Sequence, residues 1–81
     1  MDYRIKDARY LQDYTIWVCF RDGVSGEINL ADEIYGDVFE SLRDINVFKR
    51  FFVHPEFHTL TWENGADFAP EFLYQAVKKA A

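Results

Sequence analysis

Tyr14, Ile16, Val18 and Phe20 alternate with Thr15, Trp17 and Cys19, the clearest two-residue period in the chain. Both faces of this run are largely apolar, which predicts a central strand covered on two sides. Upstream, Tyr3 and Ile5 share one phase, whereas Ala8 and Tyr10 share the other. A strand over Tyr3–Leu11 must therefore carry a bulge near Lys6-Asp7, because a one-residue slip turns every side chain to the opposite face. Gln12-Asp13 turns the chain into the central strand. Arg21-Asp22-Gly23 reads as the next hairpin turn, and Val24 to Leu30 as a third strand with Val24, Ile28 and Leu30 inward. Gly26 takes an inward position without a side chain, which suggests that a ring from a neighbouring element approaches there.

The period then changes. Ala31–Tyr35 fits a single helical turn stopped by Gly36. Asp37 and Glu40 have capping-box spacing ahead of a short helix, Val38–Leu42, and Asp44 suits the cap of another, Ile45–Lys49, with Ile45 and Phe48 inward. Phe51–His54 and Thr59–Trp62 read as short strands separated by Pro55-Glu56, with Leu60 and Trp62 in phase. Asn64-Gly65 is a strong turn signal, since both residues tolerate positive φ, and Ala66–Phe68 can pair back across it. Asp67 stands where a carboxylate can cap free N–H groups, and Pro70 suits a first helical turn. The last helix spans Pro70 to about Lys79 with Leu73, Ala76, Val77 and Ala80 buried. Lys78 and Lys79 complement the negative end of its dipole. These elements predict one α+β domain over residues 1–81: a small antiparallel sheet, made of a three-stranded meander plus one or two short strands, with short central helices and a C-terminal helix.

Composition adds a means of stabilising so short a chain. Its 81 residues include eight Phe, five Tyr and two Trp, and each ring buries roughly 150–250 Å². A core without covalent staples follows, and rings in excess of it are available to an interface. The formal charge of −5 and pI near 4.8 argue against direct nucleic-acid binding, for which no Lys/Arg cluster is present. They suit a soluble surface or a basic protein partner. The single cysteine, Cys19, excludes an internal disulfide and fits a reducing compartment. The charged N-terminus lacks the apolar core of a secretory signal, and no run approaches a membrane span. A cytoplasmic protein is expected.

Candidate chemistry is sparse. His54 and His58 are spaced for a metal on a helix, but Pro55 between them breaks the helix. Cys19 lies mid-strand on an apolar face, the setting of an inert structural thiol. Asp22, Glu63, Asp67 and Glu71 could pair as acid and base, yet Asp22, Asp67 and Glu71 each already have a local backbone task. No phosphate loop or nucleophile elbow occurs, so no catalytic residue, cofactor or metal is expected. Trp17, Trp62 and Tyr74 are ring types enriched at binding hot spots, and equally suited to fill the core.

Three stretches carry a family resemblance. Phe20-x-Asp22-Gly23-x-x-Gly26-x-Ile28-x-Leu30, Leu42-Arg43-Asp44 with Phe48, and Trp62-x-Asn64-Gly65-Ala66-Asp67-Phe68-x-Pro70-Glu71-x-Leu73-Tyr74 resemble the bacterial domain of unknown function 2442 family. Asn29 departs from the aspartate usual there, although Asn still caps a following turn. The resemblance implies a compact α+β domain. It also implies an operon neighbour as protein partner, in an arrangement similar to a toxin–antitoxin pair with this domain as antitoxin. Some relatives carry a C-terminal helix-turn-helix, which is not expected in these 81 residues.

The expected function is therefore a non-catalytic binding module for a small basic protein. Trp62, Asn64, Gly65, Asp67, Pro70 and Tyr74 are the candidate interaction or motif residues. The alternative is a small ligand-binding or enzymatic domain using the Trp62–Glu71 turn, with Trp62 as a stacking face and Asn64 and Asp67 as polar contacts. Homodimerisation through an open sheet edge is a further expectation.

Overall fold

Residues 2–80 are described in the computed structural model, with the side chain of Ala80 outside the description. The first three strands, β1 (Ile5–Gln12), β2 (Thr15–Phe20) and β3 (Ser25–Asn29), form an antiparallel meander with β2 in the centre. Ile5 pairs with Phe20 but Asp7 pairs with Cys19, so Lys6 is the extra residue of a bulge where the phase switch requires one. A second bulge, not foreseen, falls at Leu11, between the Tyr10–Ile16 and Gln12–Thr15 pairs. Asp13 closes the turn at φ 47°, a conformation that Asp tolerates better than most residues.

Only one face of this sheet is fully covered. Ile16, Val18 and Phe20 of β2 are buried, whereas Thr15, Trp17 and Cys19 are half-buried. The expectation of a strand covered on both sides is therefore corrected. Trp17 stays half-buried among the described residues; Arg9, across the β1–β2 ladder, sets its guanidinium 5.5 Å from the indole centroid. Such a contact shields an aromatic face without a core.

Beyond β3 the chain makes two 3-10 turns, Ala31–Glu33 and Glu40–Arg43, in place of the helical turns expected at Ala31–Tyr35 and Val38–Leu42. The capping box does not form. Phe39 stands at the cap position without a side-chain bond, and one tight turn suffices to bury Leu42. Helix α1 (Ile45–Phe48) is capped as expected, Asp44 Oδ1 accepting from the Asn46 amide at 2.9 Å. Phe48 is fully buried, but Ile45 is 36% exposed and is not a core residue. Strands β4 (Phe52–Val53) and β5 (Leu60–Thr61) pair in a separate two-stranded sheet. Ala66–Phe68 returns against β5 as expected: the Trp62 amide donates to Ala66 at 2.9 Å and the Phe68 amide to Leu60 at 3.2 Å. Thr59 and Thr61 are buried beside Leu60 and Trp62. Their hydroxyls donate to the Phe68 carbonyl at 2.6 Å and the Thr59 carbonyl at 3.1 Å, which makes burial of a polar pair tolerable.

Helix α2 (Pro70–Ala80) packs across β3. Leu73, Tyr74 and Val77 are buried and Ala76 is half-buried; the expected burial of Ala80 lies outside the described side chains. Gly26 accommodates an aliphatic side chain, not a ring. A Cβ added there would stand 3.0 Å from Val77 Cγ1. Gly26→Ala is expected to destabilise the fold by about 1–3 kcal/mol through overpacking, while Gly26→Ala combined with Val77→Ala recovers part of that loss in denaturant melts.

Candidate functional site

Asn64-Gly65 makes the turn its chemistry suggests. Gly65 has φ +90°, and its amide donates to the Trp62 carbonyl at 3.0 Å. Asn64 Oδ1 accepts from the Ala66 amide at 3.0 Å, and Nδ2 donates to the Val38 carbonyl at 3.0 Å and to Ser41 Oγ at 3.1 Å. The Asn64 amide is thus committed to the loop that holds the second 3-10 turn. Trp62 is 2% exposed, and its indole N–H donates to the Phe48 carbonyl at 2.8 Å. The expected stacking face is corrected: the ring belongs to the core, packed against Phe48, Phe51 and Phe68. Pro70 opens α2. Asp67 caps nothing; it is exposed, bridges to Thr61 through its backbone, and makes no side-chain hydrogen bond among the described residues.

Tyr74 joins the two ends of the chain. Its ring meets Tyr3 and Phe20 edge-on at 5.0 and 4.9 Å. Its hydroxyl donates to Asp22 Oδ2 at 2.6 Å, while Asp22 Oδ1 accepts from the Val24 amide at 3.0 Å. The hairpin Asp and the helix Tyr are therefore one clamp between β2, β3 and α2. The Tyr74 hydrogen bond, followed by the Val24 amide, holds the Asp22 carboxyl below its ordinary value. The same bond to Asp22, with burial, pushes the Tyr74 phenol up to about 12.

These shifts fix a pH dependence. Asp22 titrates lower in the folded chain, so its contribution is full above 3.8 and is lost as pH falls further. Tyr74 titrates higher when folded, so its contribution is full below 10.0 and is lost as pH rises through about 12. Tyr74→Phe is expected to lower stability most between those limits. The wild-type and Tyr74→Phe curves should converge at both ends when denaturant unfolding is followed against pH.

A small hollow of about 180 Å³ at the turn is lined by Val47, Arg50, Trp62, Glu63 and Asn64; the more open, ring-lined surface lies beside it. Phe39 and Phe68 stack at 5.0 Å, and Phe68 and Phe72 at 5.8 Å. This ring ladder floors a groove of about 310 Å³, completed by Tyr35 and by the carboxylates Glu33 and Asp67. Tyr35 is 66% exposed and Phe72 38%. A second hollow of about 270 Å³ shares Glu33 and Phe72 and runs along α2 to Ala76 and Lys79, beside Ile28 and Leu30. Of the residues singled out from sequence, only Asp67 lines the larger groove. Glu33, Tyr35, Phe39 and Phe72 were missed. The signal lay in Phe72, an apolar residue off the Leu73/Val77 stripe, and in Tyr35 beside Gly36 in a loop.

Among the described residues, no group of three or more His, Cys, Asp or Glu comes together as a metal site. His54 and His58 serve a tight loop instead. His54 Nδ1 accepts from the Glu56 and Phe57 amides at 3.0 and 3.1 Å, and the His58 amide donates to the His54 carbonyl at 2.9 Å. No helix among them is long and apolar enough to cross a membrane.

In comparison with known proteins, the family model described as "Protein of unknown function (DUF2442)" matches residues 5–79. No curated protein and no solved structure matches.

Proposed function

The chain belongs to the DUF2442 family, and we propose that it is a non-catalytic binding module whose acidic, ring-lined groove captures a basic segment of a small partner protein, as an antitoxin holds its toxin. The observation that carries this reading is the pairing of exposed rings, Tyr35 and Phe72, with two carboxylates, Glu33 and Asp67, in one groove. Aromatic faces bind the guanidinium and ammonium groups of Arg and Lys, and carboxylates at the rim select for them. A net charge of −5 steers a basic partner toward the chain before contact. The residues of the Trp62–Glu71 turn offer less, because Trp62 is buried and Asn64 is already hydrogen-bonded.

Co-expression with the product of the adjacent gene tests the proposal. The two proteins are expected to co-purify, and the complex is expected to be lost when Tyr35 and Phe72 are both changed to Ala. A complex indifferent to those changes, or no complex and no rescue of growth, would contradict it.

A further inference from the structure

The two edges of the meander are protected very differently. β1 carries two bulges, and the Ile5 amide donates to the His58 carbonyl at 2.8 Å. Bulges and covering loops are the usual means of blunting a sheet edge. β3 has neither. The Phe20 amide donates to the Val24 carbonyl and the Leu30 amide to the Tyr14 carbonyl. With the register Gly26–Val18 and Ile28–Ile16, the backbone groups of the even positions face β2 and those of Ser25, Glu27 and Asn29 face outward. No backbone hydrogen bond engages those outward groups among the described residues.

A trough lies beside this edge. The hollow of about 270 Å³ between β3 and α2 has an apolar floor of Ile28, Leu30, Phe72 and Ala76, with Asn29, Glu33, Gln75 and Lys79 also lining it. It sits where the inward side chains of an added strand would fall. The outward side chains of that strand would lie beside exposed Glu27. A second copy of β3 is a poor occupant, because full antiparallel overlap sets Glu27 against Glu27, and like charges directly opposite destabilise a pair.

We infer that β3 is a docking edge: an extended basic segment of the partner adds as a fourth strand, apolar residues in the trough and a Lys or Arg beside Glu27. This deepens the proposed function, on which it rests, by stating how the partner is held.

The probe is a synthetic peptide alternating Lys and Val, with a twin alternating Glu and Val, followed by amide hydrogen exchange in the full chain. Without peptide, Gly26 and Ile28 are expected to exchange slowly and Ser25, Glu27 and Asn29 quickly. The Lys peptide should slow those three amides about tenfold or more, and the Glu peptide should not. Glu27→Pro removes an outward donor that β2 does not use, and should abolish the protection. Glu27→Lys, which keeps the backbone intact if the proline variant fails to fold, should transfer protection to the Glu peptide. Three outcomes would overturn the inference: peptide contacts at Tyr35 and Phe72 without protection at β3, equal protection by both peptides, or protection that appears without peptide as the chain dimerises. The first would leave the groove reading standing, and loss of the adjacent-gene complex would remove that reading separately.

Discussion

Phe48→Ala is expected to remove about 3–5 kcal/mol of stability, the range for deleting a fully buried ring. Phe48 has no exposed surface. Its ring lies 5.3 Å from Tyr14, 5.8 Å from Trp62, 6.3 Å from Tyr10 and 6.4 Å from Phe51, so its loss opens a cavity bounded by four other rings. Those rings come from separate elements and cannot all move to fill it. For a domain of this size each kcal/mol lowers the melting temperature by about 4–8 °C. The variant should therefore melt at least about 12 °C below the wild type. Ile45→Ala, on the same short helix but partly exposed, should cost less than half as much. Equal losses in thermal melts would mean that α1 presents a different face to the core.

Reversing both groove carboxylates, Glu33→Lys with Asp67→Lys, is expected to weaken binding of the basic partner by about tenfold to a hundredfold, or roughly 1.4–2.7 kcal/mol. Both residues flank the ring ladder, so each substitution replaces attraction with repulsion at the same place. The loss should shrink as salt is raised, since neither carboxylate is fully buried. Asp67 precedes α2, and a cation there costs only about 0.3–1 kcal/mol against the helix dipole. The variant should remain folded, which separates lost recognition from lost structure. Titration calorimetry at two salt concentrations reads both effects.

The elements were largely legible because their local signals agree. The meander follows from alternation between Tyr14 and Leu30, the Lys6 bulge from a switch of phase, and the Asn64-Gly65 turn from residues that accept positive φ. Helix type in the centre was not legible. Capping spacing at Asp37 suggests a helix start there, but the chain makes a four-residue 3-10 turn from Glu40 that buries Leu42 without the cap. The half-open outer face of β2 is not legible in the sequence, because Trp17 and Cys19 are apolar and apolar character does not show whether another layer covers a strand.

The candidate site was less legible for a different reason. Trp62, Asn64 and Tyr74 form the most conspicuous motif in the chain, and each has its polar atom matched within it: indole N–H to Phe48, amide to Val38 and Ser41, phenol to Asp22. Their partners lie 14 to 52 residues away, so the pairing appears only once the chain is folded. The residues left open to a partner, Glu33, Tyr35, Phe39 and Phe72, come from a loop and the flank of a helix, where no period marks them.

The division between residues that build and residues that recognise is tested most directly by comparing the affinity of the adjacent-gene product for two variants at neutral pH. Tyr74→Phe should bind as tightly as the wild type while melting lower; Glu33→Lys with Asp67→Lys should bind at least about tenfold more weakly while melting within a few degrees. If the tyrosine variant lost the partner and the charge-reversed one kept it, the clamp would be the recognition site and the groove would not.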